Sequence, residues 1–167
     1  MGKYFIAHGS ANSDASFYDP TLNNLTYIGA GASLTVNGDS KSFYITSGIH
    51  AGKNLNYYGG NTATRLYDHT AASNSIGPNL PGSIGPGSNN FPITTGANAG
   101  KTLILQGGTN VSYLYDPTTN TFIAGPTLAS GTISGDSHNF PANGGLYPTA
   151  TYVVNGGAAS TINIYFP

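Results

Sequence analysis

The chain has 167 residues, enough for one domain with its own core, and only 7% of them are charged, against about 25% in a typical soluble domain. The net charge is −1 with five Lys and Arg in all, which cannot neutralise a run of phosphates, so nucleic acid and anionic membrane are excluded as electrostatic partners. The absence of Cys excludes disulfides, thiolate catalysis and Cys-based metal sites.

In chain order, the local signals are those of short strands and turns. Residues 3–8 form an apolar run ended by Gly9-Ser10, and a second run covers 15–18. Asp19-Pro20-Thr21-Leu22-Asn23 then reads as a turn. Pro suits its second position, the Asp carboxylate accepts backbone N–H groups, and Asn tolerates positive φ. A third strand is expected over 25–28, and a short strand around Phe43. The cycle starts again with 53–58, Gly59-Gly60, 63–67 and the Asp68-His69 turn, and Phe91 marks the next short strand. Residues 101–106, Gly107-Gly108, 111–115, the turn 116–120 and the strand 121–124 repeat it once more. Phe140, 150–155, Gly156-Gly157 and 161–165 follow.

Three markers hold this rhythm in one phase. Tyr18-Asp19, Tyr67-Asp68 and Tyr115-Asp116 are 49 and 48 residues apart. Gly59-Gly60, Gly107-Gly108 and Gly156-Gly157 are 48 and 49 apart, as are Phe43, Phe91 and Phe140. Repeats therefore run over about 1–49, 50–98 and 99–147, with a partial one over 148–167, in one domain or domain segment. No window carries a helical period. Four short strands per repeat predict an all-β fold, a β-propeller with about 3.5 to 4 four-stranded antiparallel blades. Runs such as Leu103-Ile104-Leu105 fit middle strands buried on both faces.

The third repeat resembles the kelch family: Leu103-Ile104-Leu105-Gln106-Gly107-Gly108, then Tyr113-Leu114-Tyr115-Asp116-Pro117, then Phe122. The resemblance covers nearly the whole chain, and it implies a propeller. There are departures. Phe122, Leu25 and Ile76 stand where kelch repeats carry Trp, His69 replaces Pro, and Gly9-Ser10 replaces the Gly pair. The kelch strand order implies 3 + 4 + 4 + 3 strands, with the first blade short of its innermost strand and the last short of its outermost. Kelch-like enzymes that oxidise sugars with copper need a cross-linking Cys, so the resemblance does not extend to that chemistry.

The residues that bear chemistry are few. Asp19, Asp68 and Asp116 are assigned to their turns, with Gly59, Gly60, Gly107, Gly108, Gly156 and Gly157 as structural glycines. Asp14, Asp39 and Asp136 remain; capping of turns is expected of them rather than hydrolysis of a glycoside, and there is no Glu. His8, His50, His69 and His138 make no ligand pair, so no metal or other cofactor is expected. Asn24-Leu25-Thr26 and Asn110-Val111-Ser112 are sequons. The residues that precede each marker Phe are polar in every repeat: Lys41 and Ser42, Asn89 and Asn90, His138 and Asn139. In a kelch-like arrangement they begin the strand nearest the propeller axis, which makes them the candidate ligand-binding set.

The functional expectation is a non-enzymatic binding or assembly module, with a carbohydrate-binding propeller as the alternative and a glycoside hydrolase behind it. Its expected partner is another copy of itself, in an oligomer or polymer, with a protein or glycan ligand beside it. Low charge with abundant Ser, Thr, Asn and Gly suggests an extracellular or cell-surface location. No stretch is apolar for long enough to span a bilayer, so no membrane insertion is expected, and the first eight residues are too short for a signal-peptide core.

Overall fold

A computed structural model describes residues 4–7, 15–27, 40–135, 137–142, 145–156 and 161–167. Over these residues the chain is all-β. Fourteen strands form four antiparallel sheets of three, four, four and three strands, with no helix. Two compact units divide the chain: Met1–Ile84 with Pro117–Asn120, and Gly85–Asp116 with Thr121–Pro167.

The first unit holds β1 (Tyr4–Ala7), β2 (Ala15–Asp19) and β3 (Asn24–Tyr27) in one sheet. Its second sheet runs β4 (Lys41–Tyr44), β5 (Lys53–Tyr57), β6 (Thr64–Asp68) and β7 (Ser73–Ile76) in spatial order. Leu55, Tyr57, Leu66 and Tyr67 from the two middle strands are all buried, because these strands have neighbours in the sheet and packing on both faces. The turn acids close the hairpins. Asp19 Oδ1 accepts from the backbone N–H of Thr21 at 2.9 Å, and Asp68 Oδ1 accepts from Thr70 at 2.8 Å and Ala71 at 3.1 Å. His69 thus holds the second turn position without the Pro of the other repeats. The residue that ends each turn has positive φ: Asn23, Ala72 and Asn120. Lys53 on β5 sits opposite Asp68 and pairs with it at 3.3 Å.

The segment after β7 carries the chain back across its own sheet. Gly77 N–H donates to Thr64 O, Leu80 N–H to Thr62 O and Ile84 N–H to Asn61 O, while Gly60 N–H donates to Ile84 O at 2.7 Å. The Thr64 hydroxyl clamps the start of this return by donating to Pro78 O at 2.7 Å. Leu80 and Ile84 are buried on it.

The second unit holds β8 (Asn89–Pro92), β9 (Thr102–Leu105), β10 (Ser112–Asp116) and β11 (Thr121–Ala124), and then β12 (His138–Pro141), β13 (Thr151–Val154) and β14 (Ile162–Tyr165). Each sheet is a simple meander. Phe91, Ile93, Leu103, Leu105, Leu114, Ile133 and Val153 form the core, with Leu128 and Tyr165 packed against it. The return after β11 copies the first: Gly125 N–H to Ser112 O, Leu128 N–H to Asn110 O, Ile133 N–H to Thr109 O and Gly108 N–H to Ile133 O. The Ser112 hydroxyl donates to Pro126 O, in the place of Thr64 and Pro78. Lys101 and Asp116 form the second copy of the cross-strand ion pair, at 3.8 Å.

Candidate functional site: an uncharged cleft in the second unit

The six expected ligand residues are split between the units. In the first, Lys41 is exposed on the edge strand β4, and Ser42 beside it is engaged. Asn54 Nδ2 donates to Ser42 Oγ at 2.8 Å, so its Oδ1 faces His69 Nε2, 2.6 Å away, and that nitrogen carries the proton. The His69 ring lies against Tyr67 and Tyr44, with centroids 5.4 and 6.2 Å apart. This polar chain ties the turn to β5 and β4.

In the second unit the corresponding strands β8 and β12 lie next to each other, each at the edge of its sheet. Asn89 turns its side chain back onto the backbone, its Oδ1 accepting from Asn90 N–H at 2.8 Å. His138 is exposed. Asn90 and Asn139, one residue further along, line a cleft of about 410 Å³ between the two sheets. Phe91 and Tyr165 also line it, edge to face with centroids 5.8 Å apart. Pro92, Pro141, Pro148 and Pro167 contribute rigid apolar walls, and four threonines add hydroxyls. Among the described residues, no Asp, Glu, His, Lys or Arg lines the cleft. Among the described residues, Asn139 Nδ2 and Tyr165 Oη are buried beneath this surface with no hydrogen-bond partner.

Of the set read from sequence, the structure therefore brings Asn90 and Asn139 together in one cleft with Tyr165. In the sequence Tyr165 stands only at the end of the run 161–165, with nothing local to set it apart. Gly107 and Gly156 donate their N–H groups to Ser88 and Ser137 Oγ, at 2.7 and 2.8 Å, and Gly59 donates to Ser40 Oγ at 3.5 Å. Gly60 and Gly108 hold φ of 73° and 78°. Gly157, Asp14, Asp39, Asp136 and His8 lie outside the described residues. Among the described residues no group of three or more His, Cys, Asp and Glu comes together to hold a metal. No protein-family model matches the chain, and a search of curated proteins returns no match.

Proposed function

We propose that the chain is a non-enzymatic binding and assembly module, built as a β-propeller segment of kelch-like repeats and working at a cell surface or outside the cell. The observation that carries this reading is the return path. After the outermost strand of each four-stranded sheet, 77–84 and 125–133 run back over the sheet to its Gly pair before the next repeat begins. A propeller needs this outer-to-inner crossing between blades, whereas a sandwich has no use for it. The adjacency of β8 with β12 supports the same arrangement, since innermost strands gather near an axis. The non-enzymatic part rests on a sequence with six acids, no Glu and no Cys.

A propeller of this kind needs about four blades to close, and among the described residues the first and last sheets hold three strands each, which leaves each able to take a strand from a second copy. Self-association completes such a ring. Light scattering should give a mass that is a multiple of 17.1 kDa. A circular dichroism spectrum with a strong helical band would sink the fold reading, and a fixed single-chain mass would sink the assembly reading.

A further inference from the structure

We infer that the outer face of the last sheet, β12–β14, docks onto the first sheet, β1–β3, of a second copy of the chain. The inference deepens the assembly reading and rests on it. It names the surface, the partner and the direction of the contact.

The register of the last sheet sorts its side chains onto two faces. Cross-strand partners of an antiparallel pair share a face, and neighbours along a strand alternate. Asn139, Val153 and Asn163 stand in one row, with Pro141, Thr151 and Tyr165 in the next. This face is turned inward. Val153 belongs to the core formed with Phe91, Leu103 and Leu114 of the preceding sheet, and Tyr165 packs against it. The opposite face holds Phe140, Tyr152 and Ile164 in one row and His138, Val154 and Ile162 in the next. It is apolar but for His138, and the Phe140 and Tyr152 rings stack on it with centroids 5.4 Å apart.

The repeat tells what such a face takes. In the preceding sheet the matching row is Phe91, Leu103 and Leu114. Phe91 and Leu114 are 6% and 5% exposed, with the inward face of β12–β14 packed on them. Phe140 and Ile164 hold the same places one repeat later and are 48% and 38% exposed. The surface that fits them is therefore another sheet of this repeat, presenting a Tyr as Tyr165 is presented to Phe91, ring centroids 5.8 Å apart. In the first sheet Tyr18 on β2 holds that repeat position, opposite Tyr4 as Tyr165 is opposite Thr151.

Charge agrees with this pairing. Residues 137–167 include no Asp, Glu, Lys or Arg, so no fixed charge has to be desolvated when the face is covered. The contact joins two unlike surfaces, so copies meet head to tail and form a ring where the rotation closes.

The experiment measures association of the 167-residue chain by light scattering and sedimentation across micromolar concentrations. Phe140→Asp puts a carboxylate on the outer face, on the strand at the far side of the sheet from β14. Tyr18→Asp does the same to the first sheet. Each should weaken association roughly tenfold or more, the scale of losing a buried aromatic anchor. Phe140→Leu, still apolar, should keep most of it. A thermal melt on each variant confirms that it is folded, and Tyr18→Ala stands in should Tyr18→Asp melt early. An equimolar mixture of Phe140→Asp and Tyr18→Asp should regain a one-to-one pair, since one supplies an intact first sheet and the other an intact outer face. Association indifferent to Phe140→Asp would overturn the inference and leave the assembly reading standing, with the β14 edge as its contact. Loss in Phe140→Asp with no recovery in the mixture would mean that two outer faces meet each other, and would overturn the named partner. A wild type that stays a single chain at these concentrations would overturn the assembly reading and the docking face with it.

Discussion

Ser88 shows how much a single small side chain carries. Its hydroxyl donates to Gly85 O and accepts from Gly107 N–H, both at 2.7 Å, and the residue is only 1% exposed. Ser137 holds the same place with different bonding, its hydroxyl accepting from the N–H groups of Gly156 and Ser134 at 2.8 Å each. Ser88→Ala strands the Gly107 N–H, while Gly85 O keeps the Ser88 N–H, and it should lower stability by about 1–3 kcal/mol in a urea titration. Ser40→Ala, where the contact stretches to 3.5 Å, should cost less. An equal loss in all three variants would contradict the geometry. These serines were not legible in the sequence. Ser40 and Ser137 sit beside Asp39 and Asp136, Ser88 beside Gly87, and a hydroxyl's role depends on where the chain returns, which no local pattern records. The turn acids were legible, because Asx chemistry acts within three residues. Ala72 departs from that local logic: it holds φ of 50° where the other repeats use Asn. Left-handed backbone costs an Ala about 1 kcal/mol, so Ala72→Asn should stabilise by up to that amount. Asp68 carries a pH signature as well. The N–H groups of Ala71 and Thr70 hold its carboxyl below the ordinary value of 3.8. A depressed carboxyl stabilises the fold above its unfolded value, and that contribution fades as pH falls through the folded one. The urea midpoint should therefore drop in acid for the wild type, and less so for Asp68→Asn.

At the level of strands and segments, β9 and β10 were the easiest to read. Their apolar runs and Gly boundaries mark full burial, and the structure places every residue of 102–105 and 112–115 in the interior. The return segments were not read, although Gly77-Pro78 with Leu80 and Gly125-Pro126 with Leu128 repeat 48 residues apart. They lack strand periodicity, so only their hydrogen bonds reveal that they are built. Just beyond the first return, glycine serves close approach: a Cβ on Gly87, at φ of 80°, would overlap the carbonyl of Ser134. Gly108 has φ of 78° with nothing within 4 Å of its missing Cβ. Gly87→Ala should cost about 2–3 kcal/mol more than Gly108→Ala, since the first adds overlap to the backbone strain both share. The buried tyrosines also predict an alkaline limit. Burial pushes Tyr58 and Tyr115 up to about 12 from an ordinary 10.0. Raised phenols leave stability intact below pH 10, and it is lost as pH climbs toward 12. The rise of tyrosinate absorbance should therefore coincide with loss of the β spectrum.

For the molecule as a whole, the informative comparison is between β14 and β10, which share a register against their inner neighbours. Val154 sits opposite Ile162 as Leu105 sits opposite Ser112. On β10 the outer side is paired with β11, and Ser112 and Leu114 are 1% and 5% exposed. On β14 no further strand follows among the described residues, and the matching Ile162 and Ile164 are 61% and 38% exposed. Backbone N–H and C=O groups along such an edge invite another strand, and proteins usually deter this with charge. From 137 to 167 the sequence has no Asp, Glu, Lys or Arg, so that deterrent is missing. The chain should therefore associate with rising concentration, with β14 in or beside the contact and β1, at the edge of the first sheet, as the other end to test. Ile164→Lys places a charge on the edge without touching the cleft residues Asn139 and Tyr165. It should shift light scattering toward the single-chain mass while leaving the β spectrum unchanged. A wild type that stays a compact monomer at micromolar and higher concentrations would refute this, and would favour a ring that the four sheets close by themselves.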